Sequence, residues 1–215
     1  MNLNSLARKT NSIFDGLHFS SNPVRPGMYQ FDRNNASEKC RIHLRVDPDG
    51  TGTLLVNAAQ IYHLNPSAAL MAFLFLKNKS KPEAISRLSQ VYQISVDQAK
   101  TDYSAFLPTF ETLLQPGNIC PVCDLELEAS TPFSTRPTAP YRMDLALTYR
   151  CNNNCAHCYN ARPRSFPEMT TKLWKQVIKR CWDIGIPHII FTGGEPTLRD
   201  DLPELIAYAQ SIGQI

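Results

Sequence analysis

Residues 151–159 read CNNNCAHCY, which sets three thiols at spacings of four and three residues in a stretch too polar to be core. No other feature constrains this chain as much. Three cysteines so close cannot all pair with one another, and disulfides do not persist in a reducing compartment, so thiolate ligation of a soft metal is the better account. Iron–sulfur clusters usually take four cysteine ligands. A cluster held by Cys151, Cys155 and Cys158 alone would keep one iron open to a substrate or cofactor. The bland alternative is a structural zinc site completed by His157 or a distant ligand, although zinc sites build more often from CxxC pairs than from CxxxC.

A chain of 215 residues with 43% hydrophobic residues can bury a core and form one or two domains. Its net charge of +3, with Lys and Arg scattered among acids, gives no electrostatic case for nucleic acid. The opening MNLNSLARKT lacks the apolar centre of a signal peptide, and the longest apolar run, residues 68–76, is too short to span a bilayer. A cytoplasmic protein with no membrane partner is expected.

Residues 1–37 carry Asn, Ser, Pro and Gly without periodicity and read as a flexible start, with one edge strand suggested by Met28, Tyr29 and Phe31. From Cys40, the alternation of Ile42, Leu44 and Val46, the turn signal DPDGTG and the apolar run 54–56 predict a hairpin, and residues 61–64 predict a further short strand. Three helices follow. Asn65 caps the first ahead of Pro66, and Ser80 with Glu83 makes a capping box for the second. Ser95 with Gln98 repeats that arrangement for the third, which Pro108 is expected to kink or split.

Pro116, Gly117, Pro121, Pro132, Pro137 and Pro140 mark residues 116–140 as linker. Within it Cys120 and Cys123 form a CPVC pair that fits half a zinc site, two ligands of a second cluster, or a redox pair. Cys181 falls on the apolar stripe Leu173, Trp174, Val177, Ile178 of a helix capped by Thr170 and reads as a buried hydrophobe. Cys40 carries no role. The order strand, loop, helix, strand, loop, helix from residue 141 implies parallel strands, which puts the thiol loop and a Gly193-Gly194-Glu195-Pro196 turn at the carboxyl ends of adjacent strands. Paired glycines let a backbone approach a ligand closely. Asp200 and Asp201 suit the amino end of the last helix, and a plain tight turn with Glu195 as a helix-end acid is the bland reading of the same stretch.

The CxxxCxxC spacing resembles the cluster loop of the radical S-adenosylmethionine enzymes. Residues 145–148 look like that family's first barrel strand, and residues 189–199, IIFTGGEPTLR, look like its second strand and GGEP segment, so the likeness covers roughly residues 141–215. It implies a 4Fe-4S cluster on Cys151, Cys155 and Cys158, with S-adenosylmethionine on the fourth iron. It also implies His157 against the adenine and Gly193, Gly194 and Glu195 around the amino group of the methionine moiety. The implied activity is reductive cleavage to a 5'-deoxyadenosyl radical that abstracts hydrogen from a substrate, fed by an electron donor such as ferredoxin or flavodoxin. No residue marks the atom attacked, so no catalytic residue is assigned.

Residues 41–114, with LLVNAAQIYHLNPSAAL in their middle, are similar to the PqqD-like family, small domains that bind leader peptides of ribosomally made precursors. The implied substrate is then a precursor peptide. The expected architecture is α/β: an N-terminal α+β winged helix-turn-helix domain over residues 38–115, the 116–140 linker, and the start of a TIM-type βα barrel over residues 141–215. Two βα units cannot close a barrel, so a fragment of a longer parent is expected. Two other readings compete: a zinc-binding winged-helix regulator of DNA, and a peptide chaperone with a vestigial catalytic part. Against the regulator, the helix over residues 80–91 sets Lys81 and Arg87 against Glu83, which is thin for phosphate contact.

Overall fold

The computed structural model describes residues 22–35, 38–115, 138–160 and 167–215, and the chain parts into two units, Met1–Arg136 and Pro137–Ile215. In the first, β1 (Gly27–Asn35), β2 (Glu38–Val46), β3 (Gly52–Val56) and β4 (Gln60–Leu64) form an antiparallel meander in chain order. Ile42 and Leu44 of β2 stand opposite Val56 and Leu54 of β3, so their apolar side chains share one face and one core. The intervening His43, Arg45 and Asp47 are buried too. Arg45 Nε lies 3.2 Å from Asp47 Oδ1, and opposite charges at this distance offset the cost of removing each from water. β1 is the edge strand suggested by Met28, Tyr29 and Phe31, within a segment otherwise expected to be flexible. Its pairing with β2 from Gly27↔Val46 to Asn35↔Glu38 and the packing of Tyr29 and Phe31 on the core hold it there.

Three helices complete this unit: α1 (Pro66–Leu76), α2 (Lys81–Tyr92) and α3 (Val96–Leu113). Asn65 Oδ1 accepts the Ala68 amide at 2.8 Å, and Ser80 and Glu83 close a reciprocal capping box. The third cap is only half of one: Ser95 Oγ accepts the Gln98 amide at 3.1 Å, while Gln98 Nε2 turns away to Asp102 Oδ1 at 2.7 Å. Pro108 does not split α3, which runs unbroken for 18 residues. Phe106, Leu107 and Phe110 around it are all buried, and that packing outweighs the one backbone bond a proline cannot donate.

The second unit is β5 (Arg142–Thr148), α4 (Thr171–Asp183), β6 (His188–Gly193), a 3-10 turn (Pro196–Leu198) and α5 (Leu202–Ser211). β5 and β6 are parallel, in register from Arg142↔His188 to Ala146↔Thr192, with a one-residue shift before Thr148↔Gly193. Thr170 caps α4, whose Trp174, Ile178 and Cys181 are buried while Leu173 stays 45% exposed, so the apolar stripe is narrower than its sequence suggests. α4 ends at a left-handed Gly185 (φ 91°), with Ile186 N donating to Cys181 O at 2.9 Å. Among the described residues no helix is long and apolar enough to cross a membrane.

Candidate functional site

Parallel pairing delivers both motifs to one strand edge: the thiol loop leaves β5 and the Gly193–Glu195 turn leaves β6 at their carboxyl ends. The two are joined by backbone. Gly194 N donates to Thr148 O at 2.7 Å, and Glu195 N donates to Arg150 O at 2.8 Å. This contact explains the glycines. A Cβ on Gly193 would fall 2.1 Å from Thr148 O, and one on Gly194 would fall 2.1 Å from Arg150 O. Gly193 also has φ 127°, a value that residues with side chains rarely adopt. Both glycines thus make a close approach to the chain's own backbone at the root of the thiol loop.

The thiol loop is anchored at both ends and exposed between them. At its entry Arg150 N donates to Thr148 Oγ1 at 3.0 Å. At its exit Asn160 Nδ2 donates to Gly193 O at 2.7 Å, and the Tyr159 hydroxyl lies 3.4 Å from Thr192 Oγ1. Cys151, Cys155 and Cys158 are free and exposed, as is His157 between them. The Asn153 amide donates to Cys151 Sγ at 3.4 Å, and Cys158 N donates to Cys155 O at 3.2 Å. As they stand, no three His, Cys, Asp or Glu side chains among the described residues form a group that could hold a metal ion. The donor set itself, three accessible thiols on one short loop pinned beside a glycine turn, fits a cluster that takes three protein ligands.

Glu195 is a cap as well as a candidate ligand group. Its Oε1 accepts from Thr197 Oγ1 at 2.6 Å and Thr197 N at 3.0 Å, which closes the 3-10 turn and holds the carboxyl below the usual carboxylate range. Cys181 is buried as expected, and burial pushes its thiol up. Cys40 is buried in the first unit, with Sγ 3.5 Å from Leu114 O. Cys120 and Cys123 lie outside the described residues.

Four residues of this site carried no role in the sequence reading: Arg150, Glu168, Arg199 and Asn160. Arg199 is only 8% exposed, donating from Nε and Nη2 to Asp201 at 2.9 and 2.8 Å, from Nη1 to Leu147 O at 3.3 Å and from Nη2 to Met169 O at 3.1 Å. Asp201 does not cap α5 with its side chain. Arg199 and then Thr171, at 2.7 Å, take up its carboxylate and lower its pKa to about 2. A basic residue between Leu198 and two acids reads as surface, and nothing in its spacing signals burial.

Fold and site together define an α/β unit that presents a three-cysteine loop beside a glycine turn at the carboxyl edge of parallel strands. Residues 145–215 match the family model described as the Radical SAM superfamily. Its members use a 4Fe-4S cluster and S-adenosylmethionine. The PqqA peptide cyclase of Bradyrhizobium diazoefficiens is 41% identical over 76 residues, which cover 34% of this chain and 20% of that relative. The Fe-coproporphyrin III synthase of Methanosarcina barkeri is 48% identical over 69 residues, 31% of this chain and 17% of the relative. The matched region thus spans about a fifth of these curated relatives. The two names denote different products, so the shared segment speaks to scaffold rather than substrate. A solved structure, Streptococcus suis SuiB bound to precursor peptide SuiA, overlaps with a TM-score of 0.47 at 14% identity over 86% of this chain and 40% of that one, too loose a likeness to bear on the fold.

Proposed function

We propose that the second unit is the first part of a βα barrel that binds a 4Fe-4S cluster through Cys151, Cys155 and Cys158 and S-adenosylmethionine beside Gly193, Gly194 and Glu195. The observation that carries this reading is the pair of backbone bonds between Gly194 and Thr148 and between Glu195 and Arg150, which hold the two motifs side by side. When bound, the cofactors supply one-electron reductive chemistry at the sulfonium. The chain's own residues position and orient. Both capping bonds of Glu195 fall on Oε1, so Oε2 is open to an ammonium group, and His157 on the exposed loop offers a flat face to an adenine. The electron would come from a donor such as ferredoxin or flavodoxin, and the exposed free thiols suit the reducing cytoplasm.

Glu195→Ala is expected to weaken S-adenosylmethionine binding about tenfold, as loss of a charge-assisted hydrogen bond of about 1.5 kcal/mol would give, and to leave the cluster absorbance intact. Glu195→Gln, which keeps the cap and loses the charge, should weaken binding similarly. Calorimetric titration of the anaerobically reconstituted chain decides it, and equal affinity in all three proteins overturns the assignment.

The first unit, read as a PqqD-like winged-helix module, would bring a precursor peptide to that site. Among the described residues β1 and β4 are the outer strands of the sheet, and an outer strand is where an added strand would pair. Titration with a leader peptide at low and moderate salt should move amide resonances along one outer strand with little salt dependence. Resonance shifts confined to α2, with DNA binding that falls steeply as salt rises and no peptide binding, would establish a DNA regulator instead.

A further inference from the structure

One carboxylate meets three segments of the second unit. Glu168 Oε1 accepts from Thr148 Oγ1 at the end of β5 and from Arg150 Nε, at 3.0 Å, at the root of the thiol loop. Its Oε2 accepts from Arg150 Nη2 at 3.4 Å and from Arg199 Nη1, at 3.2 Å, just past the 3-10 turn. Arg150 Nη2 reaches on to Leu198 O at 3.2 Å. None of these groups is a thiol or the Glu195 carboxylate. They reach the site through the backbone, because Thr148 and Arg150, whose side chains Glu168 holds, are the residues whose carbonyls accept from Gly194 and Glu195.

Building on the function proposed above, we infer that Glu168 is a positioning residue that fixes how the thiol loop and the Gly193–Glu195 turn face each other before any ligand arrives. The division of labour within the network supports this. Arg199, nearly buried, keeps Asp201 as a second ionic partner, so the inner half of the network survives without Glu168. Arg150, with its side chain 58% exposed, has Glu168 as its carboxylate partner and is left with the Leu198 carbonyl when that carboxylate is removed. Deleting Glu168 should therefore loosen the loop junction and spare the fold.

The test is amide hydrogen exchange on the full chain without added metal, comparing Glu168→Ala and Glu168→Gln with Glu204→Ala. Glu204 makes a 2.6 Å salt bridge to Lys175 in the same unit, between α5 and α4, and serves as a control. In both Glu168 variants the amides of Gly194 and Glu195 should exchange about tenfold faster or more, while residues 189–191 of β6 keep their protection, as local opening requires. The control should change neither. Unchanged exchange at Gly194 and Glu195, or uniform acceleration in both Glu168 variants, overturns the inference. This readout needs no cluster, so it is decided separately from the iron reading. A second arm on reconstituted protein should show unchanged iron content in Glu168→Gln with S-adenosylmethionine affinity reduced about tenfold.

Discussion

Replacing any one of Cys151, Cys155 and Cys158 by alanine should abolish the broad charge-transfer absorbance that the chain acquires on anaerobic reconstitution with iron and sulfide. Each thiolate is a ligand in the proposed site, and a loop with three ligands has none to spare. Cys181→Ala and Cys40→Ala should keep the absorbance, because these thiols are 6% and 5% exposed within the two separate cores and are pushed up by burial, the reverse of what thiolate ligation needs. Metal analysis beside the spectra gives the decisive contrast. Stoichiometric zinc without iron in the reconstituted protein, or a full iron spectrum in one of the three loop variants, would sink the assignment.

Gly194→Ala should be strongly destabilising. An added Cβ would sit 2.1 Å from Arg150 O, 2.8 Å from Arg150 C and 2.9 Å from Tyr149 C, all backbone atoms that no rotamer change can move aside. Relief requires parting the turn from the loop, which breaks the Gly194–Thr148 and Glu195–Arg150 bonds of 2.7 and 2.8 Å. At about 1 kcal/mol for each bond and more for residual overlap, destabilisation of about 3 kcal/mol is expected. Urea unfolding followed by Trp174 and Trp182 fluorescence measures it within the second unit. A variant within about 0.5 kcal/mol of the parent would show that the turn does not bear on the loop as the structure has it.

The parallel pair β5 and β6 was legible in the sequence because apolar strands alternate with a capped amphipathic helix, and chirality leaves one way to connect them. The helix starts were legible for a local reason: Asn65, Ser80 and Thr170 act on amides three residues away, within reach of a sequence window. The same reasoning reached too far at Ser95, where Gln98 prefers Asp102 one turn on, and at Asp201, whose carboxylate is drawn off by Arg199. The edge strand suggested by Met28, Tyr29 and Phe31 is β1, and its full length, Gly27–Asn35, is set by pairing with β2, which a local window does not show.

By itself the sequence determined the type and spacing of the donors: three thiols in nine residues, and two glycines before a carboxylate after the next strand. Covalent spacing is local, and thiol chemistry does not depend on where the rest of the chain lies. Only the tertiary structure decided what the glycines serve, since Thr148 and Arg150 stand more than forty residues from the turn that packs on them. Only the structure, too, gave Glu168 and Arg199 their roles. A charged residue's burial depends on which opposite charges and carbonyls the fold brings to it, and those of Arg199 come from the end of β5, the start of α4 and the turn before α5.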